Sequence, residues 1–420
     1  MHDQASFDFR EEATAYAGGF FERIRAISKD GPGVTRLGYG EKEAAVVEEF
    51  EAEGRALGLE CAYDRAGNLW MTLPGRDRTL PAVMSGSHAD SVIWGGNYDG
   101  LAGILAPFCA LRWMVKKNIV PPRDFTVIVM RCEEQGCIGA TGFLGKLTPV
   151  DLERRFKPDM PTLGECMKAR GIDGEALCCG TPDKPLSKIA AFVELHIEQG
   201  PVLENSAFER IGLVTGIVGI HMHRTIRVKG VRAHAGAVPY EFRHDALKAA
   251  ALLIARMEAA WRVWLKKEKE LVFTVGVMNT APKAAFNIIP GDVTFSVDIR
   301  SLDVETRDGF ANLLVEEAEK IENERGVTFE FDEPVVLAPC LSEEGVYGQL
   351  ARAAEAVAVP VKPMPSGAGH DAAVLGCAGI PVGMLFVANQ NGSHTPEEAM
   401  KLEDFVLGAD IIRRWVLDFE

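Results

Sequence analysis

Four short, strongly apolar runs, Pro81–Ser85, Phe125–Met130, Ala190–Leu195 and Pro381–Val387, alternate along this 420-residue chain with longer helical patterns. One such pattern is Glu41–Leu57, with Ala44, Val47, Phe50 and Leu57 on an apolar face; another is Leu101–Val115. This alternation predicts an α/β fold built on a mixed, mostly parallel sheet flanked by helices. Residues 212–332 follow a different rhythm. Strand signal over Gly216–Lys229 precedes a long helix over Asp245–Lys266, then strands over Leu271–Met278 and Asp292–Arg300, a helix over Val304–Glu324 and a last strand over Val327–Phe331. The order βαββαβ describes a compact α+β unit that can bury its own core. Because the α/β pattern resumes after it, residues 212–332 read as a domain inserted into one made of 1–211 and 333–420. Pro182–Pro185 and Pro334–Pro339 are the expected loop or hinge segments.

The length suits two or three domains, enough to bury a core without disulfide or metal staples. A net charge of −15 argues against nucleic acid and anionic membrane as partners, since phosphate binding needs clustered Lys and Arg. The nine cysteines form no CxxC pair and read as reduced core thiols. The N-terminal stretch is too acidic and interrupted for a signal peptide, and the apolar stretch Leu101–Val115 contains Arg112. A cytoplasmic protein is expected.

Histidine placement is the most informative feature. His88, His196 and His394 each end or closely follow a strand-like run, in VMSGSHAD, FVELHIEQG and LFVANQNGSHTPEE, and the run FTVIVM leads into RCEEQG with Glu133 and Glu134. In open parallel sheets the carboxyl ends of the strands face one crevice where ligands bind. Four strands therefore deliver His, Glu-Glu, His and His to one edge. Asp99, in the Gly-rich segment GGNYDGLAG, adds a carboxylate at the start of the following helix. Imidazoles mixed with carboxylates suit zinc, manganese, cobalt or nickel better than calcium or magnesium. Five ligands exceed what one catalytic zinc with an open position takes, which favours two divalent ions sharing a carboxylate, with Asp99 the bridging candidate. His221 and His223, two apart on one strand, read as same-face sheet residues. His2 and His244 carry no signal.

The strings SGSHADSVIWGGNYDGLAG, RCEEQG, VELHIEQGPVLE, VRAHAGAVPYEFRHDA, NIIPGDVTFSVDIRS and SGAGHDA…NGSHTPEE, in this order, resemble the dinuclear metal amidohydrolases comprising N-carbamoyl-L-amino-acid amidohydrolase, allantoate amidohydrolase and β-ureidopropionase. That group belongs to the aminoacylase/carboxypeptidase-like superfamily, and the resemblance spans nearly the whole chain. It implies a zinc-exopeptidase-like catalytic domain with an inserted lid and dimerisation domain, and hydrolysis of a linear ureido or carbamoyl C–N bond. His88 and His196 would hold one metal, Glu134 and His394 the other, with Asp99 between them. Asp90 would orient His88, and Glu133 would be the general base. His234, Asn287 and Arg300 of the inserted domain would meet the substrate, His234 as oxyanion donor and Arg300 at a free carboxylate. Gln199 and His370 are further pocket candidates. The resemblance also implies a homodimer in which His234 serves the partner's centre. The segment Gln135-Gly136-Cys137-Ile138 departs from the family pattern beside the metals, which bears on the identity of the substrate. An N-acyl amino acid hydrolase or dipeptidase of the same superfamily would share every metal ligand. A non-catalytic dimeric scaffold would have no chemical reason to keep Glu133 and all five ligands.

Overall fold

Every residue of Phe125–Met130 and of Val382–Val387 is buried, as expected of strands covered on both faces. With Ala82–His88 and Ile189–Ile197 they form the middle of a sheet in the larger of two units, Met1–Gly216 with Ser342–Glu420. Pairing runs parallel from Val382–Val387 to Ile189–Ile197, on to Ala82–His88 and on to Phe125–Met130. Four strands pointing one way bring Val387, Ile197, His88 and Met130 to the same edge. Ile211–Ile217 pairs antiparallel on one side and Leu69–Leu73 on the other, followed by Glu60–Tyr63, so the sheet is mixed. The structure is a computed structural model describing residues 4–282 and 284–419, and His2 lies outside the described residues.

Helix Leu101–Lys116 is buried from Leu101 through Leu111 and packs on Ala82–His88, Ile189–Ile197 and the C-terminal helix Leu402–Asp418. Gly100, just before it, has φ +65°, and a Cβ there would lie 2.4 Å from the His88 ring. Glycine is therefore required both for the backbone turn and for the close approach. The N-terminal stretch forms helix Gln4–Ser28, burying Phe9, Phe20, Phe21 and Ile24.

The second unit is Ile217–Leu341. Its sheet runs Val272–Thr274, Asp292–Ser301, Gly219–Lys229, Thr328–Phe331, antiparallel throughout. Along Asp292–Ser301 the buried residues alternate, Val293, Phe295, Val297 and Ile299, the period of a strand with one face in a core. Ala246–Leu265 and Val304–Arg325 supply that core with Leu253, Met257, Phe310 and Leu314.

The signal over Gly216–Lys229 resolves into two strands. Ile211–Ile217 pairs with Val382–Val387, whereas Gly219–Lys229 is central to the smaller sheet. Leu271–Met278 likewise divides into Val272–Thr274 and Met278–Thr280, both on Asp292–Ser301. Within the expected loop Pro334–Pro339, Val335–Leu337 pairs with Gly219–Lys229. Both prolines lie outside the paired residues, where the missing N–H costs nothing. All nine cysteines are free, but only Cys109, Cys132, Cys137 and Cys340 are buried, while Cys179 and Cys377 are exposed, so the reading of core thiols does not hold for all of them. Among the described residues no helix is long and apolar enough to cross a membrane.

Candidate metal centre

His88 ends its strand and His196 is the penultimate residue of the neighbouring one. Their Nε2 atoms stand 3.4 Å apart. Asp99 Oδ1 lies 3.4 Å from the first and 3.1 Å from the second. His196 Nδ1 is 2.9 Å from the Ile197 carbonyl oxygen, which only accepts, so in the neutral ring the proton sits on Nδ1 and Nε2 presents a lone pair. His88 Nδ1 lies 3.2 Å from Asp90 Oδ1, which favours the same tautomer. With both rings neutral, two imidazole lone pairs and a carboxylate oxygen converge with no donor among them, an arrangement that takes up either protons or a metal cation. A tetrahedral ion bound at about 2.0–2.1 Å separates its ligands by about 3.4 Å, close to the spacing of these three atoms.

Asp99 also faces a second group. Its Oδ2 is 3.5 Å from His394 Nε2, which is 3.3 Å from Glu134 Oε2. In each group the ligand atoms lie within 4.8 Å of one another, and Asp99 belongs to both. Buried Asp90 does more than face His88. Its Oδ1 accepts the Glu133 N–H at 2.9 Å and its Oδ2 the Glu134 N–H at 3.1 Å. After Met130 the chain turns through Cys132, in the left-handed region at φ 55°. Beyond the turn the two glutamates diverge: Glu134 reaches His394, whereas Glu133 Oε2 lies 3.8 Å from His88 Nε2 and its Oε1 accepts from the Cys137 thiol.

Burial opposes the charged form of His88, but Glu133, Asp90 and Asp99 outweigh it and raise its pKa. Against the same desolvation, Asp99 lifts His196 to about 9. His394 rises to about 9 chiefly through its hydrogen bond to Glu134. Burial raises the Glu133 carboxyl, and Asp371, Glu134 and Asp90 reinforce the shift against His88. Besides Asp99, the carboxylates Asp90, Glu194, Asp371 and Glu398 are buried in this unit. Arg36, also fully buried, donates to the Ala89 carbonyl at 2.8 Å and to Asn97 at 3.2 Å rather than to a carboxylate. So many buried carboxyl groups around converging ring nitrogens fit divalent cations, which would stabilise their charged forms.

Several residues without sequence signal complete the surroundings. Glu398 accepts the N–H groups of Tyr98 at 2.9 Å and Asp99 at 3.2 Å, fixing the backbone that carries Asp99, and burial with Asp99 pushes its pKa up to about 7. Ser393 Oγ lies 2.5 Å from Asp99 Oδ2 and 2.8 Å from Glu398 Oε2. Glu194 accepts from Ser87 Oγ at 2.7 Å and from the Ala372 N–H at 2.8 Å. Of the expected pocket residues, Gln199 donates to Asp99 Oδ2 at 2.9 Å, so its amide engages the centre itself. His370 is buried, with its Nε2 2.9 Å from Ser366 Oγ and its ring 4.6 Å from that of His196. As placed, it braces a ligand candidate.

In the smaller unit, a short ribbon pairs Ala233–His234 with Ile288–Ile289, and the Asn287 carbonyl accepts the Ala235 N–H at 2.9 Å. His234 is exposed, and its Nδ1 accepts from the Gly236 and Ala237 amides, both at 3.1 Å. Two donors on Nδ1 leave the neutral ring's proton on Nε2. Arg300 holds Asp298 through Nε at 3.0 Å and Nη2 at 2.7 Å. His223 Nδ1 lies 3.0 Å from Asp332 Oδ1, and its ring centroid 5.3 Å from that of His221.

A mixed α/β sheet with two imidazole–carboxylate clusters at the carboxyl edge of its parallel strands, joined through one aspartate, is the arrangement of a metal-dependent hydrolase. The chain belongs to the Peptidase family M20/M25/M40, which is metal-dependent and whose profile matches residues 72–418. It is 33% identical over 402 residues to the N-carbamoyl-L-amino-acid amidohydrolase of Paenarthrobacter aurescens, covering 94% of this chain and 95% of that one. It is 32% identical over 384 residues to the allantoate amidohydrolase of Escherichia coli K12, covering 90% of each. Among solved structures, an amidase of the hydantoinase/carbamoylase family from Burkholderia multivorans superposes with a TM-score of 0.86 at 28% identity, covering 96% of this chain and 97% of that one.

Proposed function

We propose that this chain hydrolyses the linear C–N bond of an N-carbamoyl-L-amino acid or an allantoate-like ureido acid. The observation that carries this reading is the pair of clusters sharing Asp99, with Glu133 beside them and outside both; the names of the relatives supply the bond type. His88, Asp99 and His196 would hold one divalent ion and Asp99, Glu134 and His394 the other, from among zinc, manganese, cobalt and nickel. Two such ions would polarise the substrate carbonyl and acidify water.

Glu133 takes the proton of the attacking water and delivers it to the leaving nitrogen. Its carboxyl stands beside both clusters without belonging to either, so it is free to carry that proton. His234, with its N–H on Nε2, donates to the carbonyl oxygen as charge gathers there. Arg300 offers a planar fork to the substrate carboxylate, and since it already grips Asp298, substrate must share or displace that pairing. Asn287 and Gln199 add amide groups for orientation. The smaller unit acts as a lid and as the contact of a homodimer in which His234 reaches the partner's centre, and the protein works in the cytoplasm.

The test is a screen of N-carbamoyl-L-amino acids, allantoate and N-acyl amino acids after zinc or manganese loading, with ammonia and carboxylic acid release both measured. Ammonia from a carbamoyl or ureido substrate, with two ions per chain by elemental analysis, is expected. Turnover of N-acyl substrates alone would transfer the chain to the N-acyl hydrolase reading.

A further inference from the structure

Two buried carboxylates hold the turn that carries Glu133 and Glu134. One is Asp90; the other is Glu43, in the first turn of helix Glu41–Ala56 and wholly buried. Glu43 Oε1 accepts the Cys132 N–H at 2.9 Å. Its Oε2 accepts the Tyr39 N–H at 2.5 Å and Arg131 Nε at 2.9 Å, and Arg131 Nη2 closes a forked pairing. Tyr39 and Cys132 are both left-handed, at φ 56° and 55°, a conformation that residues with a Cβ keep only where the surroundings impose it. The Arg131 guanidinium also lies 4.8 Å from the centre of the Tyr39 ring. Four successive amides are thus fixed from outside their own segment: Arg131 by Asn68, Cys132 by Glu43, and Glu133 and Glu134 by Asp90.

We infer that Glu43, paired with Arg131, is a positioning residue for the reaction centre, holding Cys132 in the left-handed turn that sends Glu134 toward His394 and Glu133 toward His88. A single residue at positive φ sets the direction in which the next two side chains leave the backbone. If Cys132 relaxed to an ordinary region of backbone space, the adjacent glutamates would swing together. His88, His196 and Asp99 are carried by other segments, although His88 faces this turn through Asp90 and Glu133. The inference rests on the reading of Glu133 as base and Glu134 as ligand.

Glu43→Gln keeps the size of the side chain and removes the charge that Arg131 and the two amides face. In the full-length protein it is expected to lower kcat about tenfold or more, the range for outer partners of a metal site, with KM nearly unchanged. Zinc titration against a chromogenic chelator should show one ion of the two weakened by a similar factor and the other unaltered. A general loss of packing would not select one ion. Arg131→Lys, which keeps the charge but loses the fork, should give the same pattern more weakly. Unchanged kcat and ion affinities, equal weakening of both ions, or failure of both variants to fold would overturn the inference. Glu133→Gln assayed in parallel separates the two ideas. If it stays active the site reading falls, whereas an inactive Glu133→Gln beside a fully active Glu43→Gln removes the clamp alone.

Discussion

Replacing Asp90 by asparagine tests the organisation of both clusters at once. Asp90 accepts from the Glu133 and Glu134 amides at 2.9 and 3.1 Å and faces His88 Nδ1 at 3.2 Å. Asparagine keeps one acceptor oxygen, which can stay with the Glu133 amide and His88, while its NH2 must then confront the Glu134 N–H. One charge-assisted hydrogen bond is lost and the others become neutral. A hydrogen bond to a charged group contributes about 1.5–3 kcal/mol, and about 1.4 kcal/mol is a factor of ten. The expected loss of ion affinity is therefore about 10- to 100-fold. Because Asp90 touches His88 of one cluster and carries Glu134 of the other, both ions should weaken, unlike the one-sided effect expected of Glu43→Gln. Chelator-competition titration with zinc measures each affinity, and thermal unfolding of the metal-free protein shows what part of the change is loss of fold. Two affinities within a factor of two of the wild type, at unchanged metal-free stability, would refute this account of Asp90.

Glu133→Gln should retain both ions and lose about 10²- to 10⁴-fold in kcat; near-normal turnover assigns the base elsewhere. Metal uptake should release protons, because His196 and His394, at about 9, are cationic at neutral pH without metal and must give up those protons to coordinate. Affinity should then rise as pH increases from 6 toward 9, and pH-independent affinity contradicts the ligand assignment. Arg300→Ala should raise KM sharply for a substrate with a free carboxylate and leave its amide unaffected; equal effects on both remove Arg300 from the site. His196→Ala and His234→Ala, each inactive alone, should regain activity as mixed dimers, since one interface then combines intact ligands with an intact donor. No recovery places His234 in the service of its own chain.

What the sequence determined by itself is the set of elements and the edge at which their chemistry gathers. Phe125–Met130 appears with its predicted ends, and Leu101–Val115 extends by one residue, because apolar runs and helical periodicity are local properties. His88, His196 and the Glu133-Glu134 pair were legible because they stand at or just beyond the carboxyl ends of strands, a position that follows once the strands are known to run parallel. The tertiary structure alone decided matters that depend on partners far along the chain. Ile211–Ile217 joins the larger sheet through a strand more than 170 residues away. Glu398 fixes Asp99 from 299 residues away, and Glu43 holds Cys132 from 89. Two adjacent glutamates are indistinguishable by residue type. Their division into one that reaches His394 and one that stays beside His88 is set by a left-handed backbone turn, held by buried carboxylates from other segments, and no local pattern encodes such long-range hydrogen bonds.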